Sequence, residues 1–181
     1  MFKNSPLQYG SMSKFFHWGL FLLVLIQFMI IFWVFYVLPP KSPEVPFLIG
    51  GLHKPIGMLV LGLVVLALIW KALNVRPLFP PAMKQWEITT ARLTHNLLYL
   101  CLIVMPVSGL IWSLAAGYPP SFFGLFQVPP FIEKNKEIAE LYANIHMYAG
   151  YLLLALIVLH TLAAFKHHFI DRDNVLKRML P

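Results

Sequence analysis

Charge is what this sequence lacks first. Of its 181 residues 12% are charged, and only seven are acidic. A water-facing domain carries about 25% charged residues, so this chain cannot cover a soluble surface. With 59% hydrophobic residues and a mean hydropathy of +0.73, it belongs in a membrane. All seven acids lie in loops or at the ends of apolar stretches, so there is no paired intramembrane carboxylate. Acid/base hydrolysis and ion-coupled transport therefore lack their usual machinery. Cysteine is nearly absent: Cys101 stands alone in an apolar run, which excludes an intrachain disulfide and a thiolate metal centre. There is no Gly-rich phosphate loop and no low-complexity tract, and 15% aromatic residues exclude disorder.

What the sequence does have is four apolar stretches, at about 15–38, 52–73, 93–114 and 138–165, each long enough to cross a hydrocarbon core of about 30 Å. Proline, glycine or charge bounds each of them: Pro39-Pro40, Gly50-Gly51, Arg76-Pro77 and Pro119-Pro120. Pro106 lies inside the third stretch, where it should kink the helix and free the carbonyl of Leu102. The first stretch is too long for a signal-peptide core and is read as retained. Trp18, Trp33, Trp70 and Trp112 fall near span ends, as an interfacial aromatic belt would place them. The chain reads as one multi-pass membrane domain over 1–181, with no soluble domain.

The net charge of +7 follows from topology. Ends of spans on one side collect ten lysines and arginines against three acids, while the other side has four against four. The positive-inside rule then puts both termini in the cytoplasm, and nucleic acid drops out as a partner.

Against this apolar background stand seven histidines. Ionisable residues inside a bilayer are costly and are functional candidates by default. Antiparallel threading puts His17 and His95 near the cytoplasmic ends of the first and third spans, and His53 and His146 near the opposite ends of the second and fourth. His160 follows His146 by 14 residues, about 21 Å of helix rise with a net rotation of about 40°. One face of the fourth helix thus offers a nitrogen ligand to each leaflet. Two imidazoles at one depth on different helices can clamp a haem iron, and either His17 or His95 could face His160. Zinc or copper would draw three or four ligands at one depth, and the outer leaflet supplies two histidines. Glycine or alanine follows three of these histidines by four residues (Gly57, Gly150 and Ala164), leaving the gap a macrocycle needs beside its ligand.

The runs SKFFHW, GLHKPIG, THNLLYL with MPVSGL, and NIHMYAGYLLLALIVLHTLAAFKHHFIDRDNVLKRML resemble the bacterial cytochrome b561 family over nearly the whole chain, and within it the superoxide-oxidising members. The resemblance implies an all-α integral membrane protein of the bacterial inner membrane: an up-down four-helix bundle with two b-type haems in its core. It implies that His17 and His160 ligate the cytoplasmic-side haem and His53 and His146 the periplasmic-side one, and that His95 and His167 line a ubiquinone site. Electrons would pass from periplasmic superoxide through both haems to ubiquinone. Lys54, next to His53, is then the candidate for drawing superoxide to the outer face. The alternative is a membrane-anchor subunit passing electrons between a dehydrogenase or hydrogenase and quinone, which alone would need a soluble redox partner.

Overall fold

The computed structural model describes residues 1–180 and is almost entirely helical. Helix α1 (Ser11–Phe32) continues into a π-helical turn, Trp33–Val37; a second π-helical segment, Phe47–His53, leads into α2 (Lys54–Leu73). Helix α3 spans Gln85–Ala115, and α4 spans Lys136–Phe165 before a third π-helical turn, Lys166–Ile170. Between α3 and α4 a short antiparallel hairpin pairs β1 (Ser121–Phe122) with β2 (Phe126–Gln127). With their π turns, all four helices are long and apolar enough to cross a membrane.

The helical spans outrun the apolar stretches, by four or five residues at the starts of the first and second, Ser11 and Phe47, and by more in the other two. Helix α3 starts at Gln85 rather than near 93, and the fourth span ends at Ile170 rather than 165. Residues 85–92 mix polar and apolar side chains, and Glu87 accepts the Lys84 N–H at 2.9 Å to cap the first turn. Hydropathy marks the hydrocarbon part of a span, whereas the helix continues into the interface. At the other end Asn135 caps α4 by accepting the Ile138 N–H at 3.0 Å. Helix α3 runs continuously through Pro106.

The helices pack α1 on α2, α2 on α3 and, most extensively, α3 on α4. Phe16, Leu20 and Ile30 of α1 meet Ile56, Val60, Val64 and Ala67 of α2 in one cluster. A second cluster joins Val24 of α1, Cys101 of α3 and Leu153 and Leu156 of α4. In contrast, the outer faces expose about half of each of Phe21, Leu22, Leu25, Leu66, Leu100 and Leu159 to the surroundings, the inside-out pattern of a chain solvated by lipid.

Both chain ends lie at one end of the bundle. Asn4 accepts the Gly10 N–H and the Ser13 hydroxyl at 2.9 and 2.7 Å and donates to the Val75 carbonyl at 3.0 Å. Trp18 donates to the Met179 carbonyl at 2.8 Å, and Trp70 to the Ser13 hydroxyl at 2.9 Å. These two tryptophans, read as belt residues, are thus donors that tie α1 to the C-terminal tail and to α2. Gly10 lets the N-terminal strap cross α1, because a Cβ there would lie 2.3 Å from the Phe2 carbonyl oxygen. Gly10→Ala should detach the strap and destabilise the bundle by about 1–3 kcal/mol, read as a lowered thermal midpoint in detergent.

Candidate redox site at two histidine levels

The bundle holds its histidines at two levels. At the end away from the termini, His53 closes the π-helical segment before α2 and His146 projects from the third turn of α4, their ring centroids 6.1 Å apart. At the termini end, His17 of α1 and His160 of α4 stand 6.2 Å apart. The Val24, Cys101, Leu153 and Leu156 cluster lies between these levels along α1 and α4. His95 of α3 joins the second pair, its ring 5.0 Å from that of His160.

These spacings discriminate. A metal–imidazole bond spans about 2 Å and the ring centre lies about 1 Å beyond the nitrogen, so two imidazoles on opposite sides of one metal stand about 6 Å apart. The two pairs at 6.1 and 6.2 Å have that separation, and the His95–His160 rings stand closer, at 5.0 Å.

The remaining nitrogens are consistent with that fit. His146 donates Nδ1–H to the Met105 carbonyl at 2.8 Å, which leaves Nε2 with its lone pair free to bind a metal. That carbonyl belongs to Met105 rather than to Leu102, where Pro106 was expected to free one. Ser108 approaches the same Nδ1 at 3.3 Å. The Nδ1 atoms of His17 and His53 are buried without a partner. His95 bonds through Nδ1 to the Ala91 carbonyl at 2.6 Å, one turn back on its own helix.

His167 sits apart from this trio, about 10 Å further along the fourth span than His160. It is 7% exposed, and its Nδ1 lies 2.7 Å from Asp173 Oδ2 and 3.1 Å from Asp171 Oδ2. Lys166 bridges Glu87 of α3 and Asp171, the latter at 2.7 Å. Together these groups line a cavity of about 250 Å³ closed by Ala82, Met83 and Lys84. A second cavity, of about 450 Å³, opens at the same end beside Trp18, whose ring stands edge-on to His17 at 5.0 Å. Tyr9 borders it, and burial pushes its hydroxyl pKa up. So His95 and His167, read together as one site, border different surroundings: the histidine pair and the carboxylate-lined cavity. Lys54 donates to the Tyr118 carbonyl at 3.2 Å, so it is fastened to the α3–α4 connection.

Residues 8–181 match the family described as prokaryotic cytochrome b561. The chain belongs to that family. Its members are membrane haem bundles that transfer electrons, so b-type haem is the cofactor the family implies. Among its relatives, "Cytochrome b561 homolog 2" of Escherichia coli K12 is 34% identical over 99% of this chain and 94% of its own length. "Cytochrome b561 homolog 1" of the same strain is 34% identical over 78% and 80%. "Probable superoxide oxidase CybB" of Yersinia pestis is 28% identical over 99% and 96%.

Two residues of this site escaped the sequence reading. Gln27 donates to the His53 carbonyl at 2.9 Å while its own carbonyl oxygen is buried without a partner. It is the amide in an apolar run of α1, and the cost of such a group in a membrane is the signal that could have singled it out. The glycine against a histidine ring is neither Gly57 nor Gly150, which lie nearest Gln27 and Met105, but Gly109. A Cβ on Gly109 would stand 3.0 Å from His146 Cε1. Gly109→Ala should push the His146 ring off the Met105 carbonyl and lower haem content per chain, with Gly62→Ala, which meets nothing within 4 Å, as the unaffected control.

Proposed function

We propose that the chain is a di-haem superoxide:ubiquinone oxidoreductase of the bacterial inner membrane with both termini in the cytoplasm. The observation that carries the reading is the pair of 6 Å histidine couples at opposite ends of one four-helix bundle. His53 and His146 hold the periplasmic-side haem, and His17 and His160 the cytoplasmic-side one. Bound haem supplies one-electron transfer between the two faces. Support for superoxide as the donor comes from the Yersinia relative, a probable superoxide oxidase, and for quinone as the acceptor from protonatable groups at the termini end.

The balance sets what the side chains must do. Two superoxide anions lose one electron each and become dioxygen, and one ubiquinone takes two electrons and two protons to become quinol. His167 is the proton donor to the quinone: its Nδ1 faces Asp173 and Asp171, which are 19% and 31% exposed and join the buried ring to water. His95 presents Nε2 beside His160 and serves as a second donor. Lys166 and Glu87 hold the ends of α3 and α4 together around the cavity. Lys54 contributes positive charge one residue from His53 and favours arrival of a small anion.

Replacing His53 or His146 by alanine should leave about one haem per chain, and so should His17→Ala or His160→Ala. His95→Gln and His167→Gln should keep both haems and slow quinone reduction by about 10²-fold or more. Two haems surviving in His17→Ala, with loss in His95→Ala, would reverse that ligand choice. Stopped-flow mixing of the purified protein with superoxide should reduce the haems at a rate that falls with added salt and falls roughly three- to tenfold in Lys54→Glu. Haems that stay oxidised under superoxide but are reduced by quinol would make the chain an electron carrier for a partner dehydrogenase instead.

A further inference from the structure

The connection between α3 and α4 is unlike every other loop of the chain. Residues 117–132 carry no charge and include Tyr118, Phe122, Phe123, Phe126 and Phe131, and the charges resume at Glu133 and Lys134. In the structure the apolar side chains of this segment point away from the protein: Leu125 is 79% exposed, Phe131 67%, Phe126 56% and Phe123 47%. A two-stranded hairpin with an exposed apolar surface is marginal at best in water.

The turn at its tip strengthens the conflict. Leu125 N–H bonds to the Phe122 carbonyl at 2.9 Å, and both central residues, Phe123 and Gly124, have positive φ, 49° and 76°. Such turns take Asn-Gly or Asp-Gly, which tolerate the left-handed region and suit water. Here a phenylalanine occupies the strained position, with leucine beside it. A bulky aromatic held at positive φ is an outlier that the surroundings must favour.

Prolines supply a second, independent feature. Pro119 and Pro120 precede β1, and Pro129 and Pro130 follow β2, so four backbone positions have no N–H to satisfy. Much of the remaining polar backbone is paired: Val128 N–H to Pro120 carbonyl at 2.9 Å, Gly124 N–H to Ser121 hydroxyl at 3.2 Å, and the Ser121 hydroxyl to Phe126 carbonyl at 3.2 Å. Few unpaired donors and no charge are what a segment needs where water is scarce. The root of the hairpin is fixed to the bundle, since β1 contacts α2 and both Lys54 and Ser113 donate to the Tyr118 carbonyl. The hairpin thus starts beside the first turn of α2, at the bundle end where Phe32, Trp33, Phe35, Tyr36 and Phe47 already expose aromatic rings.

We propose that this hairpin is a membrane-interfacial element whose tip, Phe123 to Phe126 with Phe131, inserts among the headgroups and upper acyl chains of the leaflet at the loop end of the bundle. Its apolar surface continues the aromatic belt of the helix ends, and the charged start of α4 marks where water begins. The partner is the lipid bilayer, and neither a second copy of the chain nor a soluble protein is needed to cover the patch.

The test places a spin label at Leu125→Cys and, as a reference, at Glu133→Cys in the haem-loaded protein, reconstituted in phosphatidylethanolamine/phosphatidylglycerol vesicles. Native Cys101 is 3% exposed and is replaced by alanine in both. Collision with oxygen, which enters lipid, is compared with collision with a water-soluble nickel chelate. The expected result is an oxygen-to-nickel ratio several-fold higher at 125 than at 133, with intact haem spectra reporting the fold. Equal ratios at the two positions would place the tip in water and overturn the proposal. A label at 125 that is immobile and closed to both reagents would mean that protein covers the tip, which also overturns it. Should the Cys101→Ala background fail to load haem, Leu125→Trp in the native chain, quenched by lipids brominated at shallow acyl positions, gives the same reading: no added quenching sinks the idea.

Discussion

An imidazole inside a bilayer has no water to bind, and the arrangement of this bundle follows from giving six of the seven histidines something else to face. Four of them meet in pairs, 6.1 and 6.2 Å between ring centres, each pair joining α4 to another helix. Because α4 contributes to both pairs, its length between His146 and His160 sets the separation of the two levels, and the apolar cluster around Val24, Cys101 and Leu153 fills the space between them. Helix α1 and the π-helical segment leading into α2 supply the opposite ring at one level each, so the order of packing around the bundle and the position of the site are one property.

Backbone irregularity collects where function is proposed. His53 closes one π-helical segment, and His167 and His168 lie in another. A π turn rotates the following side chains relative to a regular helix, and it turns up often at functional sites. In the second span it aims His53 at His146 while Lys54 faces Tyr118; in the fourth it turns His167 away from the histidine trio toward Asp171 and Asp173. Gln27 then holds the His53 main chain from α1. Ser108 lies against His146 in the same way from α3.

The two ends of the molecule differ in chemistry. At the termini end, cavities of about 250 and 450 Å³ are bordered by hydroxyl, carboxylate, ammonium and imidazole groups. At the other end residues 117–132 of the longest connection are uncharged and rich in aromatic side chains, and Lys54, the residue next to His53, ties them to the bundle. Titratable groups gather at one end and aromatic side chains at the other, an asymmetry along the axis of an electron-transfer bundle.

Hydropathy, charge bias and histidine depth were enough to read the four spans, the shared side of the termini and the two histidine levels, since each depends on local composition and on the constant rise of a helix. The sequence also pointed to the family, through runs that surround the histidines. Three-dimensional packing decided the rest. Both His17 and His95 come within 6.2 Å of His160, an approach of three helices that no spacing along the chain encodes. The same holds for Gly109 beneath His146, the Met105 carbonyl as its partner, and Gln27 against His53: each joins residues from different helices. The π turns that aim His53 and His167 depend on how a helix settles against its neighbours. Sequence period determines which face a residue occupies, and only the packed bundle determines what that face meets.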